Sequence, residues 1–369
     1  MIMAMITSLL SCSPTHTHIL FMLVLFSLHT MPKQATATRS LHGMFAFGSS
    51  IVDNGNNNYI ATLGKANYLP YGVDFRPPRP TGRFSNGKNV VDLLGDLLRI
   101  PLLLPVLDPT AKGSRIRHGV NYGSGGAGIL NDTGSVTGMV MNLDQQISKF
   151  EEVTLQELEF LLSCTREQIL PHYLFFIAAG GNDYQFNYFP NGGSMPNLRN
   201  FTENLIAAYS HRLKRLYKLG ARKFALLAVN PIGCGPVIRA NTPGNRCQSN
   251  LNLAARLFNK RLICLVDTLK DQLSGSRFVV INPYYIIMDI IDHPALNGFS
   301  NVKSACCELS ITGILCKAFG EICSNRNSFA YFDAQHSTEA VSAIIASTAY
   351  SSTNITLVYP TNVQQLSQL

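Results

Sequence analysis

Short apolar runs and longer amphipathic stretches alternate along this chain. Four runs are almost continuously hydrophobic: Met44 to Phe47, Tyr173 to Ala179, Phe224 to Val229 and Phe278 to Ile281. Their length and lack of polar interruption predict strands buried on both faces of a sheet. Between them the period lengthens. Asn89 to Arg99 carries Val90, Val91, Leu93, Leu94, Leu97 and Leu98 and stops before Pro101, as a helix does. Asn142 to Leu162, Phe201 to Leu219 and Ser249 to Leu273 repeat their apolar positions at helical spacing, and Gly220 stands where a helix C′ residue belongs. The alternation from Phe45 to Ile281 predicts an α/β fold, a mostly parallel sheet with helices on both faces. Glycine-rich polar stretches punctuate this pattern, and in such sheets they gather at the carboxyl edge, where ligands bind.

The chain has 369 residues, 46% of them hydrophobic, enough for a sizeable core. No internal repeat or low-complexity linker divides it, so a single domain is expected from 38 to 369. The net charge of +8 is spread thinly and includes no Lys/Arg block, which excludes nucleic acid as a partner. A mildly basic surface implies at most weak adsorption to acidic polysaccharide, such as that of a cell wall. Residues 1–37 read as a secretory signal peptide. The apolar core Ile19 to Leu28 is too short to span a bilayer, and Ala35-Thr36-Ala37 supplies a small-residue cleavage site, although the segment before the core lacks Lys and Arg. The expected location is extracellular, with no transmembrane segment in the mature chain.

Cysteine usage fits that location. Nine cysteines less Cys12 of the signal leave eight, five of them between Cys264 and Cys323. In a secreted chain they read as disulfides. Cys316 and Cys323 lack zinc-knuckle spacing and have no His among them. Cys234 and Cys247 bracket a Pro/Gly/Asn loop and form the most local candidate bridge; the other six leave their pairing open. Cys164 and Cys264, on apolar helical faces, are candidates for buried free thiols. Sequons at Asn131, Asn200 and Asn354 are candidate glycosylation sites.

Four polar stretches carry candidate chemistry, three of them glycine-containing. The first, FAFGSSIVDNGNNN, runs from Phe45 to Asn58: a strand stops at Gly48, and Ser49, Ser50 and the turn signal Asp53-Asn54-Gly55 follow. A hydroxyl at a strand break beside a Gly is where α/β enzymes place a nucleophile. The second, HGVNYGSGGAG from His118 to Gly128, contains Gly123, Gly125 and Gly128 at G-x-G-x-x-G spacing. That fingerprint needs a helix to open next, and a turn follows instead, which argues against a dinucleotide. The third is Gly180-Gly181-Asn182-Asp183, directly after a predicted strand. In the tail, YFDAQHSTEA places Asp333 three residues before His336, so that the carboxylate can hold Nδ1–H and present Nε2 to a distant serine. Each of these stretches taken singly also reads as an ordinary turn.

Taken together and in this order, they resemble the blocks of the plant-type GDSL esterase/lipases (SGNH hydrolases), and the strings YLPYGVDF and PTGRFSNGKNVVD add to the likeness. The resemblance spans roughly Met44 to Tyr350. It implies a three-layer α/β/α sandwich, flavodoxin-like, with a central parallel sheet of about five strands. It implies Ser50 as nucleophile, His336 as base and Asp333 as its orienting acid. The oxyanion hole would comprise the N–H groups of Ser50 and Gly125, with Gly126 in reserve, and the amide of Asn182. Asp53 and Asn56 would brace the first turn. No metal or cofactor is required. Ser49 stands where the family has Asp, and Ser337 where it has Pro; Ser337 is expected to cap the following helix. No G-x-S-x-G elbow is present.

The implied activity is hydrolysis of carboxylic esters, whether small molecule, lipid or polyester. Two alternatives stand beside it: an acyltransferase of the same chemistry (cutin-type), and a catalytically impaired cell-wall binding protein, suggested by Ser49 and Ser337. Loops around Tyr59 to Ser85 and Tyr184 to Leu198 are expected to set specificity.

Overall fold

All four apolar runs form strands. In the computed structural model, which describes residues 41–189 and 197–369, they are β1 (Gly43–Gly48), β2 (Tyr173–Ala178), β3 (Lys223–Leu227) and β4 (Arg277–Ile281). They pair in parallel in that order, with Phe45 opposite Phe175 and Phe175 opposite Phe224. Two further strands, β5 (Asn301–Ala305) and β6 (Phe329–Tyr331), form a separate small sheet. The last, β7 (Val358–Tyr359), closes the main sheet beside β4 and runs antiparallel. The expected signal segment lies outside the described residues.

The outer edge of β1 is not bare. Met44 and Ala46 donate to the carbonyls of His118 and Val120, while Tyr122 and Ser124 donate back to Ala46 and Gly48. The glycine-rich stretch 118–124 therefore lies along β1 as an irregular parallel strand. Counting it, five parallel strands run in the spatial order second, first, third, fourth, fifth, which is the flavodoxin-like order. The fifth strand of the regular sheet, β7, is its one antiparallel member among the described residues, so the sheet is mostly parallel as expected.

Among the described residues ten α-helices complete the layers. They are α1 (Val90–Leu98), α2 (Leu143–Lys149), α3 (Leu155–Leu162), α4 (Arg166–Ile169) and α5 (Leu198–Lys218), then α6 (Pro236–Ala240), α7 (Ser249–Gln272), α8 (Pro283–Asp292), α9 (Glu339–Ser351) and α10 (Val363–Gln368). The two-residue period of the strands decides which helices meet which face. Phe45, Phe47, Phe175, Ile177, Phe224 and Leu226 pack against α2, α3, α5 and α7. Met44, Ala46, Leu174, Phe176, Ala225 and Leu227 pack against α1, α8, α9 and α10. Both faces are thus dry, and each buried Phe contributes roughly 1.5–3 kcal/mol. The predicted helix over Asn142 to Leu162 divides at a wider π-type turn, Phe150–Thr154, which lets Phe150, Thr154 and Leu155 all reach the core. Among the described residues no helix is long and apolar enough to cross a membrane.

Disulfides join Cys234 to Cys247, Cys306 to Cys323 and Cys307 to Cys316. The first is the bridge expected from sequence. The expected buried free thiols are not found: Cys264 is free but exposed, on the solvent side of α7, and Cys164 is disulfide-bonded. The two nested bridges of residues 306–323 stabilise a third small core, in which Tyr71, Phe84 and Phe332 pack against the cystines. Asn131, Asn200 and Asn354 are all exposed.

Candidate active site

Strand β1 ends where its backbone must turn sharply under β2. Gly48 has φ +133°, and a Cβ there would lie 2.0 Å from the Ala178 carbonyl oxygen, so only glycine fits. Gln146 of α2 holds the turn from both sides: its Oε1 accepts from the Gly48 N–H at 2.7 Å and its Nε2 donates to the Gly48 carbonyl at 2.9 Å. The chain then lifts Ser49 and Ser50 into a cleft of about 70 Å³ at the carboxyl edge of the sheet, walled by Gly181, Asn182, Val237 and His336.

The tail comes to the same place. Strand β6 leads into the turn Asp333–His336, where Asp333 Oδ1 accepts the backbone N–H groups of Gln335 and His336 at 2.9 and 2.7 Å. This Asx turn folds the imidazole onto its own carboxylate. His336 Nδ1 lies 2.8 Å from Asp333 Oδ2, and His336 Nε2 lies 2.9 Å from Ser50 Oγ. Asp333 is fully buried, and its second oxygen also accepts from the Tyr71 hydroxyl at 2.7 Å. Tyr71 in turn accepts the Cys316 N–H at 3.0 Å, which ties the disulfide loop to the acid. The Phe84 ring lies 4.8 Å from the imidazole, centroid to centroid, and walls its side. Ser337 does not cap the next helix as expected. Thr338 takes the N-cap position, its hydroxyl donates to the Phe329 carbonyl, and Asn86 Oδ1 accepts the Glu339 N–H instead.

The glycine-rich stretches are bonded to one another through buried side chains. Asp53 Oδ1 accepts from the N–H groups of Gly55 and Asn56 at 2.7 Å, and Asn56 Nδ2 donates to the Gly123 carbonyl. Asp183 accepts from Ile129, Leu130 and Thr133. Burial pushes both carboxyls up to about 6, against the backbone donors that pull them down. Asp53 Oδ2 also takes the Gly125 N–H at 3.0 Å. This overturns the expectation that Gly125 offers its N–H to a substrate oxygen. Its glycine identity has a packing cause: a Cβ would sit 2.7 Å from both Asn57 Nδ2 and the Phe84 ring. The neighbouring Gly126 has φ +91°, and its N–H meets no acceptor among the described residues. The same is true of the Ser50 N–H. Asn182 Nδ2 donates one hydrogen to the Ala127 carbonyl at 2.9 Å, which fixes the amide and leaves its second hydrogen unspent.

Sequence reasoning missed Tyr71, Gln146 and Phe84. Tyr71 and Phe84 lie in strings that carried the family likeness but read as loop, and Gln146 is a polar residue on the inner face of an otherwise amphipathic helix. No cluster of His, Cys, Asp or Glu suited to a metal ion occurs among the described residues.

A flavodoxin-like sheet with serine, imidazole and carboxylate in line at its carboxyl edge defines the class, an α/β ester hydrolase. The GDSL-like Lipase/Acylhydrolase family pattern matches residues 44–348. Among the relatives, GDSL esterase/lipase At4g16230 of Arabidopsis thaliana is 38% identical over 346 residues, covering 90% of this chain and 93% of its own. GDSL esterase/lipase At1g71250 of the same plant is 39% identical over 352 residues, 92% of each chain. The chain belongs to the GDSL-like lipase/acylhydrolase family.

Proposed function

We propose that the protein is a secreted serine esterase/lipase that hydrolyses carboxylic acyl esters through Ser50, His336 and Asp333. The observation that carries this reading is the unbroken line Ser50 Oγ–His336 Nε2, 2.9 Å, and His336 Nδ1–Asp333 Oδ2, 2.8 Å, between residues 283 positions apart at its extremes. His336 takes the Ser50 proton as Oγ attacks the ester carbonyl carbon. Asp333, held by three donors besides the imidazole, keeps the ring in the tautomer that leaves Nε2 free to accept. Charge develops on the carbonyl oxygen, and the N–H groups of Ser50 and Gly126 with the second amide hydrogen of Asn182 receive it. His336 then protonates the leaving alcohol. In the second half-reaction it activates water against the acyl-enzyme, which releases the acid and restores Ser50.

Ser49 in place of the family's Asp does not disturb this line. Its N–H donates to the Ala178 carbonyl, and the bracing of the turn falls to Asp53 and Gln146. That speaks against the catalytically impaired alternative. Secretion is supported by the short apolar segment with its Ala-x-Ala site and by the disulfides, which persist in oxidising compartments. Fluorophosphonate labelling of wild type beside Ser50→Ala, with the labelled peptide located by mass spectrometry, tests the assignment. Label on Ser50 that vanishes in the variant is expected. Undiminished ester hydrolysis by Ser50→Ala would end it.

A further inference from the structure

The cleft around Ser50 is too small for more than a short acyl group, yet it is not closed. Beyond it lies a second hollow of about 460 Å³, within the size range of ligand pockets. Gln185, Val237, Ile238 and Gln335 line both spaces, so the two adjoin across these side chains. The far walls are mostly apolar: Tyr188 and Phe189 on one side, Leu251 and Leu253 of α7 on another, and Ile314 of the disulfide loop, with Gln248 and Asn250 as polar positions near the start of α7.

These walls are fastened to the turn that carries His336. Ala334 donates its N–H to the Ile314 carbonyl and accepts from the Val237 N–H, both at 3.0 Å. At the junction Gln335 Nε2 donates to Gln185 Oε1 at 2.6 Å. That single bond bridges the neighbour of His336 and the residue three after Asn182. It joins two uncharged side chains in a half-buried setting, so it opens without leaving a charge unpaired.

Building on the esterase reading, we propose that this hollow is the acyl-chain site, that it takes the aliphatic tail of medium- and long-chain esters, and that the Gln185–Gln335 pair is the clasp such a tail must part. The apolar walls suit methylenes, and the polar positions Gln248 and Asn250 carry no charge to hold an ionic head group. Once the pair parts, the adjoining hollow takes the tail while the carbonyl carbon stays within reach of Oγ. Each methylene withdrawn from water raises kcat/KM about fourfold.

The test is kcat/KM for p-nitrophenyl acetate, butyrate, octanoate and laurate, below their aggregation limits, in proteins whose competent Ser50 is counted by fluorophosphonate. Wild type should climb with chain length beyond butyrate. Leu253→Trp, at a half-exposed position, should fill the hollow and lower the laurate-to-acetate ratio by roughly tenfold, the worth of one to two methylenes. Gln185→Ala should raise that ratio. If Leu253→Trp fails to fold, seen as loss of label, Ile238→Trp obstructs the junction instead. A labelled, acetate-hydrolysing wild type with a flat profile from acetate to laurate would overturn the proposal and leave the esterase reading intact. So would a ratio that neither Trp variant moves, or a dependence on alcohol length in its place. A Ser50 that takes no label and cleaves no ester would instead remove the chemistry on which the proposal rests.

Discussion

Replacing Asp333 by Asn changes one atom, and the structure fixes which one. Two backbone N–H groups, of Gln335 and His336, converge on Asp333 Oδ1. An amide at this position must keep its oxygen there, because an NH2 would face two donors. The NH2 is then forced into the place of Oδ2, between His336 Nδ1 and the Tyr71 hydroxyl. It has a hydrogen for each. Donating to Nδ1, it selects the imidazole tautomer that carries its proton on Nε2, and such a ring cannot take the proton of Ser50. An equivalent exchange in a Ser-His-Asp triad lowers kcat by about 10⁴, near 5 kcal/mol of transition-state stabilisation. Binding contacts are untouched, so KM should change little. The fold should survive: the Tyr71 proton loses its acceptor, at a cost of about 1–3 kcal/mol, and a Tm lowered by a few degrees is the expected trace. The assay is kcat and KM on p-nitrophenyl butyrate, with a thermal melt on the same preparation. Residual kcat within tenfold of wild type in a protein that melts normally would refute the tautomer argument, and with it the role given to Asp333.

Gly125→Ala should destabilise the protein by about 1–3 kcal/mol, because its methyl group meets Asn57 and Phe84 at 2.7 Å, and Phe84 walls His336. Thermal melts and butyrate kinetics should both register it, and an unchanged Tm would contradict the packing account of this glycine. Asp183, raised by burial from 3.8 to about 6, holds a proton in the folded state that the unfolded chain has lost between those values. Its stabilising contribution is complete below the lower value and is lost as pH rises through about 6. Tm should therefore fall between pH 5 and pH 7 more steeply in wild type than in Asp183→Asn. Parallel slopes in a melt series would show that Asp183 is not the group responsible.

The sheet and the line Ser50–His336–Asp333 were legible because their signals are local. An apolar run with no polar break has few places to go other than a two-faced strand, and D-x-x-H draws its geometry from one turn. What stayed hidden depends on contacts between segments far apart in sequence. The pairing of Cys306 with Cys323 and Cys307 with Cys316 nests one loop inside another, and spacing alone ranks that no higher than the alternatives. Tyr71 serves Asp333 across 262 residues. Gly125 and Gly126 are chemically identical neighbours. Only the left-handed φ of Gly126, and the carboxylate of Asp53 waiting beside Gly125, decide which N–H is taken and which remains.

The same contacts explain how a site can stand on loops and still be rigid. Beyond the strand ends the three glycine-rich stretches hold only short turns of helix, at Asn56–Tyr59 and from Asp183, yet Asp53, Asn56 and Asp183, each fully buried, join them to one another, while Gln146 joins β1 to α2. Buried polar groups are costly unless every partner is present, so these side chains tolerate one arrangement of the loops and penalise others. The cost is visible in the raised carboxyls of Asp53 and Asp183. What it maintains is the position of three groups with hydrogens to spare, Ser50 N–H, Gly126 N–H and the Asn182 amide, beside an imidazole held from behind. Ser49 lies inside this frame without being part of it, since its backbone bond to Ala178 requires no particular side chain. The family's second motif residue is therefore free to vary here, whereas Asp53, outside the four letters that name the family, is not.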